Sequence, residues 1–176
     1  RYSSKEVGFN FWRAINLEVV TKENLEIFDL LSPRFERGNI QLGLSRIKKA
    51  LGVLKNPCKN LPAIQIIGTN GKGSITAFIE SILYSDKKNI GVTTSPHLLD
   101  ISERIRVNKE NISKEEFKNL LKKLTKSLSN YKLSPFEQII CCALVFFDKK
   151  KVDLLILEAG LGGRLDATTA HNLRPI

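Results

Sequence analysis

No stretch of the 176-residue chain is apolar for long enough to span a bilayer, and no charged-then-apolar leader opens it. Both gaps argue against membrane insertion by these residues. Cysteine is scarce: Cys58, Cys141 and Cys142 make an odd set, two of them adjacent, with no C-x-x-C pair. That pattern excludes a disulfide framework and a zinc site by spacing, and fits buried thiols in a reducing, cytoplasmic compartment. The two histidines, His97 and His171, stand too far apart to form a metal-ligand pair by spacing alone. Acidic residues are also in deficit, 18 against 28 basic ones, leaving a formal charge of +10. Such an excess invites a nucleic-acid reading. The lysines, however, fall at turn or helix spacing, as in Lys48-Lys49, Lys122-Lys123 and Lys149-Lys150-Lys151, and no recognition-helix, RNP-type or aromatic stacking motif joins them. They read as solvated faces with a secondary pull on anionic substrates, and no nucleic-acid partner is expected.

What is present is globular: 42% hydrophobic and 26% charged residues, without repeats or a low-complexity linker. The length suffices for one domain with a sizeable core. The chain runs from Arg1 to Ile176 and is expected to be an excerpt of a longer one. Residues 1–20 show no clear period and remain unassigned, whereas 21–176 are expected to form part of one domain. Thr21 to Leu31 suggests a short helix before Pro33. Ile40, Leu44, Ile47, Leu51 and Leu54 follow helical spacing up to Pro57.

The pattern then changes. Ala63-Ile64-Gln65-Ile66-Ile67 is a short apolar run of strand type, and Ile75, Phe78, Ile79, Ile82 and Leu83 resume helical spacing. Ile90 to Thr94 predicts a second strand that ends at Ser95-Pro96, followed by a long connection containing Glu103-Arg104-Ile105-Arg106-Val107. Ser113-Lys114-Glu115-Glu116 and Ser134-Pro135-Phe136-Glu137 read as capping boxes for two helices. Asp153 to Leu157 is a buried-strand run closed by Glu158. Strands alternating with helices predict an α/β fold with a mostly parallel sheet flanked by helices.

Between the first strand and its helix lies Gly68-Thr69-Asn70-Gly71-Lys72-Gly73-Ser74. Glycines allow a tight turn whose N–H groups face phosphate oxygens, and the helix N-terminus adds positive potential there. Lys72 supplies a cation for the β- and γ-phosphates, and Ser74 a hydroxyl for Mg²⁺. The loop is shorter than the common Walker form, and Gly73 precedes its serine. Glu158 places an acid at the carboxyl end of a central strand, where open α/β sheets bind ligands. A strand-end acid that merely caps a loop is the plain alternative; beside a phosphate loop, the metal role leads. Ser95 ends another strand on the same edge. Alone it would read as a turn residue, and with the loop it becomes a third ligand candidate. Gly160-Leu161-Gly162-Gly163-Arg164-Leu165-Asp166 offers either close backbone approach to a ligand or a flexible surface loop. Ser134 and Glu137 have a sufficient role as helix caps, and Phe136 as a buried aromatic.

In this order, G-T-N-G-K-G-S, T-S-P-H-L, E-R-I-R-V-N and L-E-A-G-L-G-G-R-L-D-A-T resemble the folylpolyglutamate synthase/dihydrofolate synthase family of the Mur ligase superfamily. The likeness runs from about Gly38 to Thr169, and it implies that 21–176 are an incomplete P-loop NTPase-like, ATP-binding domain of the Mur ligase kind. It implies a monomeric, two-domain, ATP-dependent amide ligase that adds L-glutamate to dihydropteroate or a reduced folate through an acyl phosphate. By the same resemblance Gly68 to Ser74 bind ATP, Lys72 and Glu158 serve catalysis, and Ser74, Ser95 and Glu158 hold Mg²⁺. Asp166, with Phe136 and Ser134, lies at the pterin. The family often has T-F-F-E where this chain has Ser134 to Glu137, and F-N-E-R-I where it has Ile101 to Ile105. Its C-terminal ligase domain, a metal-holding histidine and a carbamylated lysine are absent from these residues, so the fragment alone is expected to be inactive. Another Mur-type ligase, a P-loop kinase or switch NTPase, and a nucleotide-binding module without turnover are the rival readings. The G-L-G-G-R-L-D-A-T stretch, the short loop and the intact Lys72, Ser74 and Glu158 argue against them in turn.

Overall fold

A computed structural model describes residues 22–31, 43–170 and 174–175, with the side chains of 22, 23, 174 and 175 excepted. Its centre is β5, Leu154–Glu158, whose five residues are all buried. A run without polar alternation is what a strand covered on both faces requires. On one side β5 pairs in parallel with β1, Pro62–Ile66, and on the other with β2, Ile90–Thr93. Beyond β1 lies the parallel β6, Arg174–Pro175; beyond β2 come the antiparallel β3, Ile105–Val107, and β4, Glu110–Asn111. The strand order is therefore β4-β3-β2-β5-β1-β6, with three parallel and two antiparallel pairings. The expected α/β class and mostly parallel sheet are found.

The period of two along β5 divides the core. Leu155 and Leu157 join a large cluster with Phe117, Leu121, Ile140 and Phe147, whereas Leu154 and Ile156 join a small one with Ile66, Ile90 and Val92. The large cluster lies among α1, Lys22–Leu31, α2, Ser45–Val53, α4, Lys114–Ser127, and α5, Pro135–Lys150. Gly91 of β2 lets α5 come this close, since a Cβ there would lie 2.7 Å from the Phe147 ring. The small cluster is covered by α3, Lys72–Ser85, through Ile79 and Leu83. The helical spacing read for α3 is correct, yet Ile75, Phe78 and Ile82 are 49, 66 and 70% exposed.

Both predicted serine caps form. Ser134 and Glu137 make the full reciprocal box with Pro135 in the first turn. Ser113 accepts from the Glu116 N–H, but the Glu116 carboxylate turns away to Lys149 at 2.6 Å, so only half of that box exists. The connection read through Glu103 to Val107 contains structure that the sequence reading lacked: a 3₁₀ turn, Ile101–Arg104, and the β3–β4 hairpin. Asn108 and Lys109 turn that hairpin with φ of +53° and +68°, the left-handed pair that two-residue hairpin loops use.

The cysteines are free and buried as expected. Burial, then the Asp148 charge, pushes the Cys58 thiol up to about 12; burial, then Glu137, does the same to Cys141. The lysines of the three charged runs are exposed. No helix among the described residues is long and apolar enough to cross a membrane. Residues 1–20, Ile40 and His171 lie outside the described residues.

Candidate active site

Two local signals form the phosphate loop: the strand β1 stops at Ile66, and Gly71 adopts φ +75° immediately before α3. A side chain at that position would be strained, which explains a glycine there. No side chain caps the start of α3, so its first N–H groups point out of an exposed loop. Ser74 is exposed in the first turn, and Lys72 folds back to donate from Nζ to the Gly68 carbonyl at 3.0 Å.

Register brings the other two predicted metal ligands to the same edge. Ile66 lies beside Glu158, and Thr93 beside Leu157, so the chain leaving β1 toward Gly68 and the chain leaving β2 toward Ser95 flank Glu158. The Ser95 N–H donates to Glu158 Oε2 at 3.3 Å, and the Ser95–Pro96 peptide is cis. Glu158 is 4% exposed. Burial raises its carboxyl above the ordinary value; the Ser95 N–H and the charges of Lys72, Arg106 and Arg104 act in the opposite direction. Among the described residues no three His, Cys, Asp or Glu cluster as a metal cage. One carboxylate and two hydroxyls are instead the hard oxygen set that suits a divalent ion taking its remaining ligands from phosphate and water.

Sequence reasoning missed the cationic wall around this carboxylate. Arg104 is 7% exposed and donates from Nε to His97 Nδ1 at 2.9 Å. Burial lowers its guanidinium to about 10; burial and the Arg104 charge lower His97 to about 4. Arg106 donates to Glu80 Oε2 at 2.8 Å, to the Glu103 carbonyl at 2.9 Å and to the Thr94 hydroxyl at 3.2 Å. The sequence carried no signal for it: Glu80 and Thr76 lie on the buried side of α3, whereas the apolar positions Ile75, Phe78 and Ile82 face outward. Glu103 accepts the N–H groups of Leu98, Leu99 and Asp100 at 2.7, 3.0 and 2.8 Å. Burial would raise this carboxyl, and those bonds more than offset it, holding it low. The turn so fixed presents Leu98 and Leu99, 79 and 66% exposed.

The residues assigned to a pterin divide. Phe136 lies against Gly160, and Asp166 accepts from the Gly160 and Leu161 N–H groups at 2.9 and 3.0 Å, so these two share one loop. The other Asp166 oxygen takes the Thr168 N–H and hydroxyl at 2.9 and 2.6 Å. The loop is thus ordered by its own aspartate, and Gln65 of β1 ties it down through Thr168 and Thr169 at 2.7 and 2.9 Å. Ser134 uses its hydroxyl as the α5 cap.

No protein-family model matches the chain. A dihydrofolate synthetase of Saccharomyces cerevisiae is 42% identical over 132 residues, 73% of this chain and 31% of its own. A folylpolyglutamate synthase from Thermotoga maritima, solved as a crystal structure, superposes with a TM-score of 0.76 at 35% identity, covering 84% of this chain and 35% of that one. A bifunctional folylpolyglutamate synthase/dihydrofolate synthase solved with Mn, AMPPNP and L-glutamate bound superposes at 0.69 with 33% identity, covering 82% of this chain and 34% of that one. The chain spans about a third of the length of these relatives.

Proposed function

We propose that this chain, which those likenesses set in the dihydrofolate synthase/folylpolyglutamate synthase family, carries the phosphate-handling part of an ATP-dependent carboxylate–amine ligase. The observation that carries the reading is the convergence of the Gly68–Ser74 loop, Ser95 and Glu158 on one edge of three parallel strands. The acceptor is dihydropteroate, a reduced folate or both, and the amine is that of L-glutamate. In support, relatives with these names match over most of the chain, and one binds AMPPNP, Mn and L-glutamate.

A carboxylate does not acylate an amine at neutral pH, because oxide is too poor a leaving group. Transfer of the ATP γ-phosphoryl to the acceptor carboxylate gives an acyl phosphate, and the glutamate nitrogen then displaces phosphate. The protein's task is alignment and neutralisation of charge. The N–H groups of Gly71 to Ser74 hold phosphate oxygens, and Lys72 exchanges its Gly68 carbonyl for the transferring group. Ser74, Ser95 and Glu158 would hold Mg²⁺, which supplies charge neutralisation and a template for the phosphates. Phe136 and Asp166, with Ser134 behind them, would border the pterin end through the Gly160 loop. The protein acts as a monomer in the cytoplasm, without nucleic-acid or membrane partners.

The test is phosphate release by the full-length protein given ATP, L-glutamate and either dihydropteroate or a reduced folate. Release that requires both organic substrates is expected. Release indifferent to the pterin would overturn the folate assignment.

A further inference from the structure

Arg106 stands two strands away from Glu158, with β2 between them, yet it joins the helix of the phosphate loop to the segment that leads into Ser95. Its Nη2 reaches Glu80 on α3, the helix that begins at the phosphate loop. Its Nη1 reaches the Thr94 hydroxyl, one residue before Ser95, and the carbonyl of Glu103. Thr94 in turn donates to that same carbonyl at 2.9 Å. The Arg106 and Glu80 side chains are 17 and 6% exposed, so the pair is costly to bury and an apolar pair would fill the space at lower cost. A planar guanidinium has the fixed fork that three partners at different angles require, and an ammonium has not.

We propose that Arg106 is a positioning residue that holds the Ser95 turn against the phosphate-loop helix through Thr94 and Glu80. Without it the two hydroxyl ligands, Ser74 from α3 and Ser95 from the end of β2, are related only through the apolar packing of α3 on the sheet and the Ser95 N–H bond to Glu158. Nucleotide binding through the loop N–H groups needs only α3, whereas metal binding needs both segments. This inference rests on the phosphate-and-metal reading of the site.

The experiment measures two affinities on the full-length protein: Mn²⁺ by electron paramagnetic resonance at saturating AMPPNP, and AMPPNP by equilibrium dialysis in EDTA. Arg106→Gln is expected to weaken Mn²⁺ binding roughly tenfold or more while metal-free AMPPNP stays within about twofold. Arg106→Lys, keeping the charge but losing the fork, should recover little of it. Wild-type Mn²⁺ affinity in Arg106→Gln, full rescue by lysine, or equal loss of both affinities would each overturn the proposal. If Arg106→Gln does not fold, the double variant Glu80→Gln/Arg106→Gln strands no buried charge and takes its place, with the same expected result. Unaltered protein that binds no AMPPNP overturns the phosphate reading and this inference with it; unaltered protein that binds both, with an unaffected variant, overturns this inference alone.

Discussion

At the amino end of β2 and β5, Asn89, Asn108 and Asp153 satisfy one another. The Asn89 amide donates to the Lys150 and Lys151 carbonyls at 3.1 and 3.0 Å and accepts from Asn108 at 2.8 Å; its N–H donates to Asp153 at 2.9 Å. Asn108 also accepts the Ile90 N–H at 2.9 Å. At the carboxyl end of the same sheet, bonding is incomplete. The hydroxyls of Thr76 and Thr93 and one Glu80 oxygen are buried with no partner among the described residues, and Lys72 reaches back to its own loop. Buried polar groups are normally paired, so this end is the less saturated of the two. One end of the sheet has its polar side chains paired and the other leaves several of them unpaired.

The largest effect should come from the open end. Lys72→Ala is expected to lower ATP-dependent turnover of the full-length protein about 10²–10³-fold, while urea denaturation moves by no more than roughly 0.5 kcal/mol. Parallel loss of stability and turnover would erase the distinction between the two ends. Asn89→Ala is the mirror experiment: about 2 kcal/mol of stability lost through several hydrogen bonds, with AMPPNP affinity unchanged. A shifted affinity would break the comparison from the other side. Thr93→Val sharpens it, because removing an unpaired buried hydroxyl should stabilise the nucleotide-free protein by about 1 kcal/mol in thermal unfolding. Destabilisation would show that the hydroxyl is already engaged.

The smallest effect belongs to neither end. Cys58 and Cys141 hold their protons up to about 12 in the fold, against 9.0 when unperturbed. A folded value above the unfolded one gives stability that is complete below pH 9 and declines as pH rises through the folded value. The decline should reach roughly half a kcal/mol per thiol at pH 9, measurable by urea titrations at pH 7 and pH 9. Iodoacetamide should accordingly modify the native thiols far more slowly than the unfolded ones.

Much of this was legible because it is local. The apolar run before Glu158 and the glycine loop between a strand and a helix are contiguous signals, and the structure builds both. The β3–β4 hairpin was not, because a three-residue strand with an arginine at its centre carries too little alternation to be read. The apolar stripe of α3 announced a helix but not which neighbour covers it, and Ile75, Phe78 and Ile82 stand exposed. Arg106 and Glu80 are 26 residues apart, so no spacing rule joins them. The glycine-rich pattern around Asp166 points it toward a ligand, and its short-range bonds to Gly160, Leu161 and Thr168 give it a structural occupation as well.

By itself the sequence determined β1, β2 and β5, the serine-capped starts of α4 and α5, and the glycine loop, since each depends on backbone conformations and side-chain periods set within a few residues. Only the tertiary structure decided that Ser95 and Glu158 meet, that Arg104 and Arg106 line the same edge, and that the polar groups of one sheet end are saturated while those of the other are not. Those outcomes follow from strand order and register, which bring together residues far apart in the chain through pairings that no local pattern specifies.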